Sequence, residues 1–142
     1  MRTLSVLTDS GAPPEALLAL LRGRPVLLLP PEAESALLLV LPDWPGGPVP
    51  PRCRILLTPP DMAALLGGVH CSRAVSYGAG GRESIGFTSL RPDALTLETR
   101  RTLPTLAGRL LEPQEKRMTC PAADAQTRLA VCSALLLLDL DA

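Results

Sequence analysis

The sequence predicts an α/β fold, in which a small parallel, Rossmann-like sheet with flanking helices is followed by antiparallel hairpins and a buried C-terminal helix. In the first part of the chain, short apolar runs bounded by proline, glycine or aspartate are typical of strands covered on both faces. After Gly81 apolar and polar residues alternate, which is typical of hairpins with one solvated face. A segment that is apolar almost all round follows. We expect a single domain over residues 1–142, with the parallel part in 1–79 and the hairpins and helix in 80–142.

The composition is that of a folded chain, and it argues against nucleic acid and anionic membranes as partners. The 142 residues suit one ordinary domain, and 46% hydrophobic with 20% charged residues is too apolar for disorder. Fourteen basic residues balance fourteen acidic ones, and only 2% of residues are aromatic. Without a basic stripe or stacking surfaces, we expect no nucleic-acid binding and no attraction to an anionic membrane.

Five apolar runs are the predicted parallel strands: TLSVLT, PVLLLP, ALLLVLP, CRILLTP and RAVSYG. Between the first two, Pro13 and Pro14 suit the first turn of a helix and Gly23 suits its end. Between the last two, PPDMAALLGG predicts a short helix with Asp61 near its start. These strand–helix–strand units are the basis of the predicted α/β layer.

One connection in this part is too short for a regular crossover. Only PEAES separates the second and third strands, whereas adjacent parallel strands need a connection of about a dozen residues. Either the two strands are not adjacent, or a longer helix runs through Leu37 to Leu41. The stretch PDWPGGPVPPR that follows the third strand predicts an exposed loop, which Trp44 packs against the fold.

The second half predicts hairpins and a helix. In SIGFTSL the alternation places Ile85, Phe87 and Ser89 on one side, RPD makes a turn, and ALTLETRRTL alternates again. LAGR predicts a further turn before LLEPQEKRMT, whose carboxylates Glu112 and Glu115 we expect on a solvated face. The last apolar segment predicts a buried helix capped by Asp124.

The glycine-rich stretch VSYGAGGRES, residues 75–84, is the most suggestive motif, but it fits neither common phosphate-binding pattern. Both the P-loop pattern and the dinucleotide-binding pattern, counted from Gly78, meet Glu83 where a glycine is needed. No lysine follows for the first pattern, and no helix follows for the second. We therefore predict a flexible connector, and we expect the Glu83 charge to repel a phosphate.

No set of residues predicts catalysis, a metal or a cofactor. Asp9 follows a strand as a phosphotransfer aspartate would, but the second acidic residue of such sites is missing, so a turn or helix-capping role is favoured. His70 is the only histidine, and no nucleophile elbow surrounds Ser76, Ser84 or Ser89. The cysteines lack the close spacing of zinc ligands and belong to no disulfide pattern; they are Cys53, Cys71, Cys120 and Cys132.

The chain resembles the last third of the central domain of the Mur ligases, the ATP-dependent amino-acid-adding enzymes of peptidoglycan precursor synthesis. There, a buried strand ending in "ITYG" precedes a hairpin and an alanine- and leucine-rich helix. Residues 74–78 match that strand and 129–138 match that helix, while SVLTDSGAPPEALLALL is loosely similar to the segment with "NADDP". The stretch VSYGAGGRESIGFTSL also resembles a group of small bacterial proteins of this length. The resemblance covers about residues 54–138.

The ligases' chemistry has no counterpart in this sequence. Their P-loop "GTNGKT" is absent, their H-N-x-x-N motif is replaced by ADAQTR, and their magnesium-bridging modified lysine is not matched. The resemblance therefore implies kinship of fold without activity.

We favour a non-enzymatic interaction or regulatory module, a Mur-like remnant that binds a protein partner or forms a homo-oligomer. The alternative is a small-molecule-binding domain or weak enzyme with its site at the carboxyl ends of the parallel strands. Its ligand-binding residues would be Asp9, Ser10, Thr58, Asp61, Ser76, Tyr77 and Arg82. The start MRTLSVLTDSG is too short for a secretory signal and the longest apolar run is about 12 residues, so we expect a cytoplasmic protein.

Overall fold

The apolar runs of the first half form one parallel sheet in the computed structural model, which describes residues 2–121 and 123–140. Apolar side chains cover both faces of the sheet at its three central strands, as the unbroken apolar runs predict, whereas the two outer strands are more exposed. The five strands are β1 (Arg2–Leu7), β2 (Val26–Leu28), β3 (Ser35–Val40), β4 (Arg52–Thr58) and β5 (His70–Ser76). The predicted α/β class is confirmed.

The strand order explains why the connection between β2 and β3 can be so short. The order is β2-β1-β3-β4-β5, so β1 lies between the two strands that PEAES joins. Leu4 of β1 faces Leu28 on one side and Leu37 on the other. The nonadjacent placement is therefore the correct alternative, and no helix forms at residues 37–41.

Regular helices cover one face of this sheet only. Helix α1 (Glu15–Leu21) follows Pro14, and Gly23 with φ +74° ends the helical path. The predicted second helix is a 3₁₀ helix, Pro60–Leu65, with no buried residue of its own. It joins the proline-rich loop over the other face of the sheet, where Trp44 is only 6% exposed, as predicted. The flanking helices of the prediction are thus partly replaced by irregular chain.

The second half forms two small antiparallel sheets. Strands β6 (Ile85–Leu90), β7 (Ala94–Thr99) and β10 (Gln114–Thr119) lie in the order β10-β7-β6. The two-residue strands β8 (Leu103–Pro104) and β9 (Leu110–Leu111) pair with each other. The predicted placement of Ile85, Phe87 and Ser89 on one side is wrong at Ser89. The register shifts between Phe87 and Ser89, because β6 has one extra residue there.

Helix α2 (Ala125–Leu137) covers the face of the parallel sheet opposite the proline-rich loop, and its ten residues 128–137 are all buried. Its predicted cap is present, because Asp124 Oδ1 accepts a 2.8 Å hydrogen bond from the Thr127 backbone N–H. Burial stabilises the fold by about 1.5–3 kcal/mol for each large apolar side chain. Neither this helix nor any other in the described ranges is long and apolar enough to cross a membrane.

Candidate functional site

A cleft of about 460 Å³ opens where β4 and β5 end. Its apolar walls come from the two strands and from the segment around the 3₁₀ helix. These residues are Leu56, Pro59, Pro60, Ala63, Leu66, Ala74 and Val75. Its polar groups are the hydroxyls of Thr58, Ser76 and Ser84 and the side chain of Arg101. The cleft thus combines an apolar interior with hydroxyls and one cation, which is the composition of many ligand sites.

The glycine-rich connection brings Ser84 back to the end of β5. The Ser84 backbone N–H donates a 3.1 Å hydrogen bond to Ser76 Oγ, and the Gly78 N–H donates a 3.1 Å bond to the Ile85 carbonyl. Tyr77 and Ile85 also form an isolated parallel bridge. The loop between them therefore closes on itself, and its ends form part of the cleft.

Arg101 is held over the cleft by neutral partners. Its Nη1 donates a 3.3 Å hydrogen bond to Ser84 Oγ, and its Nη2 donates a 2.9 Å bond to the Arg82 carbonyl. Within residues 2–121 and 123–140, no carboxylate oxygen lies within 4.0 Å of its guanidinium nitrogens. The residue is exposed. Its charge is thus oriented by the fold but not neutralised by an ion pair.

The interior of the glycine-rich loop is occupied by the loop's own carboxylate. Glu83 is only 7% exposed, and a Cβ on Gly80 would lie 2.8 Å from its Oε2. Arg100 Nη1 lies 3.5 Å from Glu83 Oε1 and donates a 3.2 Å hydrogen bond to the Glu83 carbonyl. An anion entering this loop would meet a buried negative charge.

The sequence-predicted site residues fall into separate places. Thr58 and Ser76 line the cleft, and Arg82 contributes its carbonyl to the positioning of Arg101. Asp61 is exposed on the 3₁₀ helix and does not line the cleft. Tyr77 is buried, and its hydroxyl donates a 2.6 Å hydrogen bond to the Val40 carbonyl. Burial, and then the charge of Asp43, raise the pKa of the Tyr77 phenol.

Asp9 and Ser10 lie at the end of β1, which β3 and β4 separate from β5. There, Thr8 Oγ1 donates hydrogen bonds of 3.1 and 3.2 Å to the two carboxylate oxygens of Asp43, and the Asp9 N–H donates one of 3.3 Å. Asp9 therefore lies in a turn, as favoured, and it does not cap α1, whose N-cap is Pro14 without a side-chain hydrogen bond. Asp9 and Ser10 thus lie at the same edge of the sheet as the cleft but away from it.

The histidine and cysteine side chains form no metal-binding cluster in the described part of the chain. No three side chains of histidine, cysteine, aspartate or glutamate come together there in a way that would hold a metal ion. Burial, and then the neighbouring Cys71, raise the pKa of the Cys53 thiol to about 12. A thiol in this state is a poor nucleophile at neutral pH.

Arg101 lines the cleft, and the sequence does not single it out. It lies in ALTLETRRTL, where two adjacent arginines follow an alternating strand. Arg100 turns towards Glu83 and Glu98, and Arg101 turns towards Ser84. The sequence carries no signal for this division of roles, because both arginines lie beyond the end of β7, where the alternation of a strand no longer applies.

A comparison of the chain with known protein families, with curated proteins and with solved structures found no match.

Proposed function

We propose that the chain is a non-enzymatic binding module, and that its cleft takes a ligand with a carboxylate next to an apolar group. The observation that supports this most directly is the unneutralised guanidinium of Arg101 beside apolar walls. A guanidinium has five N–H donors, and two of those of Arg101 bond to Ser84 and Arg82. The other donors are left for a ligand.

The two anchoring bonds favour recognition of a planar anion. A guanidinium already fixed in one orientation loses less side-chain entropy when it binds, and its fork matches a carboxylate in a bidentate arrangement. The hydroxyl of Ser76 accepts a hydrogen bond from the Ser84 N–H and offers its own hydrogen as a further donor along the cleft. The apolar walls would then bury the rest of the ligand, which is the larger source of affinity.

The cleft favours binding over catalysis. Its hydroxyls are the only nucleophile candidates, and no histidine, lysine, aspartate or glutamate is among the residues that line it. A serine or threonine hydroxyl needs a neighbouring base to become a nucleophile. We also keep, as a proposal from the sequence, that the module is a Mur-like remnant that retained a fold without the ligases' chemistry.

N-acetyl-leucine tests the proposal, because it joins a carboxylate to an apolar side chain. We expect it to shift the amide resonances of Ser76 and Ser84 in a nuclear magnetic resonance titration of the full chain. The Arg101→Gln variant should weaken this binding about tenfold or more, because a hydrogen bond to a charged group contributes about 1.5–3 kcal/mol.

Two controls separate charge recognition from weak apolar binding. The amide of N-acetyl-leucine has the same apolar part without the charge, and it should bind no better to the wild type than to Arg101→Gln. The Arg22→Gln variant removes the same charge from the exposed residue that ends α1, on the connection to β2, the edge strand at the other side of the sheet. It should leave the affinity unchanged. Equal binding of acid and amide would disprove the proposal.

A further inference from the structure

Strand β5 has one unpaired edge. It is the terminal strand of its sheet, and among the described residues it pairs only with β4. In the described part of the chain, residues 71–75 make no hydrogen bonds outside that ladder. His70, Ser72, Arg73 and Ala74 are exposed along this strand. An open strand edge is a template for pairing with a further extended chain.

The outward-facing backbone groups can be assigned near the end of β5. The Tyr77 N–H bonds to the Thr58 carbonyl on the β4 side, whereas the Gly78 N–H bonds to Ile85 on the opposite side. Backbone groups alternate between the two edges of a strand. The N–H groups of Ala74 and Ser76 therefore point to the open edge.

The open edge ends at the cleft. Ile85 pairs beside Tyr77, so a strand added along β5 would stop at the level of Ser76. The cleft is lined there by Ser76, Ser84 and Arg101. The open edge and the cleft thus form one continuous surface, and the guanidinium of Arg101 lies at the end of this surface near Ser76.

The charge of this surface selects the partner. Residues 69–82 contain Arg73 and Arg82 and no aspartate or glutamate. Arg101 adds a further positive charge at the end of the strand. An extended segment with negative charges would complement these side chains, and a basic segment would be repelled.

We propose that β5 binds an acidic, extended peptide of a partner protein by strand addition, parallel to β5. The terminal carboxylate of the peptide bonds to Arg101, and its last side chain enters the apolar cleft. The parallel direction follows from the position of the cation, because only a parallel strand brings its carboxyl end to the end of β5. Main-chain hydrogen bonds along the edge supply affinity, and the cleft supplies specificity. This inference rests on the proposed function of the cleft.

The probe is a fluorescein-labelled peptide of alternating valine and glutamate, as long as β5, with a free carboxyl terminus. We expect saturable binding to the full chain by fluorescence anisotropy, weakened by salt. The same peptide with lysine in place of glutamate, or with an amidated terminus, should bind at least about tenfold more weakly.

Two variants of one residue test the edge itself. Ala74→Pro removes an outward N–H without breaking the β4 ladder, since proline is tolerated at the open side of an edge strand. It should weaken peptide binding at least about tenfold relative to Ala74→Val. Ala74→Val is the matched control, because it also changes this cleft-lining side chain but keeps the N–H. If Ala74→Pro fails to fold, the peptide methylated on alternate backbone nitrogens replaces it, and that peptide should not bind the wild type.

The outcomes separate this inference from the proposed function. If N-acetyl-leucine binds and the acidic peptide does not, the inference is overturned and the proposed function stands. If neither binds, both are overturned. If sedimentation shows a dimer that Ala74→Pro converts to a monomer, a second copy of the chain occupies the edge, and the peptide inference is again overturned.

Discussion

Glu83 and Arg100 face each other across the inner side of the glycine-rich loop, with 3.5 Å between Glu83 Oε1 and Arg100 Nη1. The side chain of Glu83 is 8% exposed and that of Arg100 is 23% exposed, so water screens this pair only partly. Arg100 also bonds to the carbonyl of Glu83 and to the carboxylate of Glu98. The loop is therefore fixed by its own charges, which makes it a structural element of the cleft wall.

Replacing Glu83 should destabilise the fold. We expect Glu83→Ala to lower the free energy of unfolding by about 1–3 kcal/mol, because it leaves the guanidinium of Arg100 partly buried without one of its two carboxylates. Urea denaturation of both proteins measures the difference. Glu115→Ala removes an exposed carboxylate from β10 and should change the stability by less than about 0.5 kcal/mol. Equal effects of the two substitutions would show that the loop is not held by this pair.

A methyl group at Gly86 should have a comparable effect through Arg100. A Cβ on Gly86 would collide with the guanidinium of Arg100, the end of a flexible side chain, which would have to shift. We expect Gly86→Ala to cost about 0.5–1.5 kcal/mol, because this shift weakens a hydrogen bond of Arg100. Gly67→Ala is the matched control, since no atom lies within 4 Å of its added Cβ. Thermal denaturation should rank Gly67→Ala at or above the wild type and Gly86→Ala well below it.

Tyr77 should make the fold sensitive to alkaline pH. Burial raises its pKa in the folded protein, so the neutral phenol is favoured there. The resulting stability is present below the unfolded pKa of about 10 and is lost as the pH rises above it. Urea denaturation at a series of alkaline pH values should show a steeper loss for the wild type than for Tyr77→Phe. The raised pKa of Cys53 acts in the same direction, but it is common to both proteins and cancels in the comparison.

The hydroxyl of Tyr77 should also contribute below that pH. Removing its hydrogen bond to Val40 in Tyr77→Phe should cost about 0.5–1.5 kcal/mol near neutral pH. Tyr77 is the only tyrosine of the chain, so the absorbance of tyrosinate reports its ionisation directly. Ionisation of the folded protein near the usual pKa would contradict the buried position.

The cap of α2 should show the opposite pH dependence. Hydrogen bonds from the Thr127 N–H and hydroxyl lower the pKa of Asp124. The stability that this gives is present above the unfolded pKa of about 3.9 and is lost as the pH falls through the folded value. Asp124→Ala should cost about 0.5–2 kcal/mol near neutral pH and less in acid. Asp124→Asn keeps an N-cap acceptor, and near neutral pH it should lose less stability than Asp124→Ala.

The sequence predicts the elements of this fold better than their arrangement. Apolar runs bounded by proline or glycine identify the parallel strands, and Asp124 identifies the start of α2, because these are local properties of the chain. Strand order depends on which strands meet in space. Asp9 follows β1 and Ser76 ends β5, and the sequence predicts that they share a site, yet β3 and β4 separate the two strands.

The cleft depends on the directions of side chains, and the repeating pattern of apolar and polar residues does not define these directions. Glu83 looks like an exposed loop residue, but its carboxylate turns inward to Arg100. Arg101 follows immediately after Arg100 and points to Ser84 instead. A long side chain can reach several hydrogen-bond partners, and the surrounding tertiary structure determines which of them it contacts.

The position of α2 in the chain has a consequence for biosynthesis. The strands whose apolar face it covers all precede it, so they leave the ribosome while that face is still open. A nascent chain translated as far as β10 therefore displays the leucines of β1, β3 and β4 to water and to other nascent chains. Slow translation of residues 125–137 would therefore lengthen the exposure of these leucines and favour aggregation.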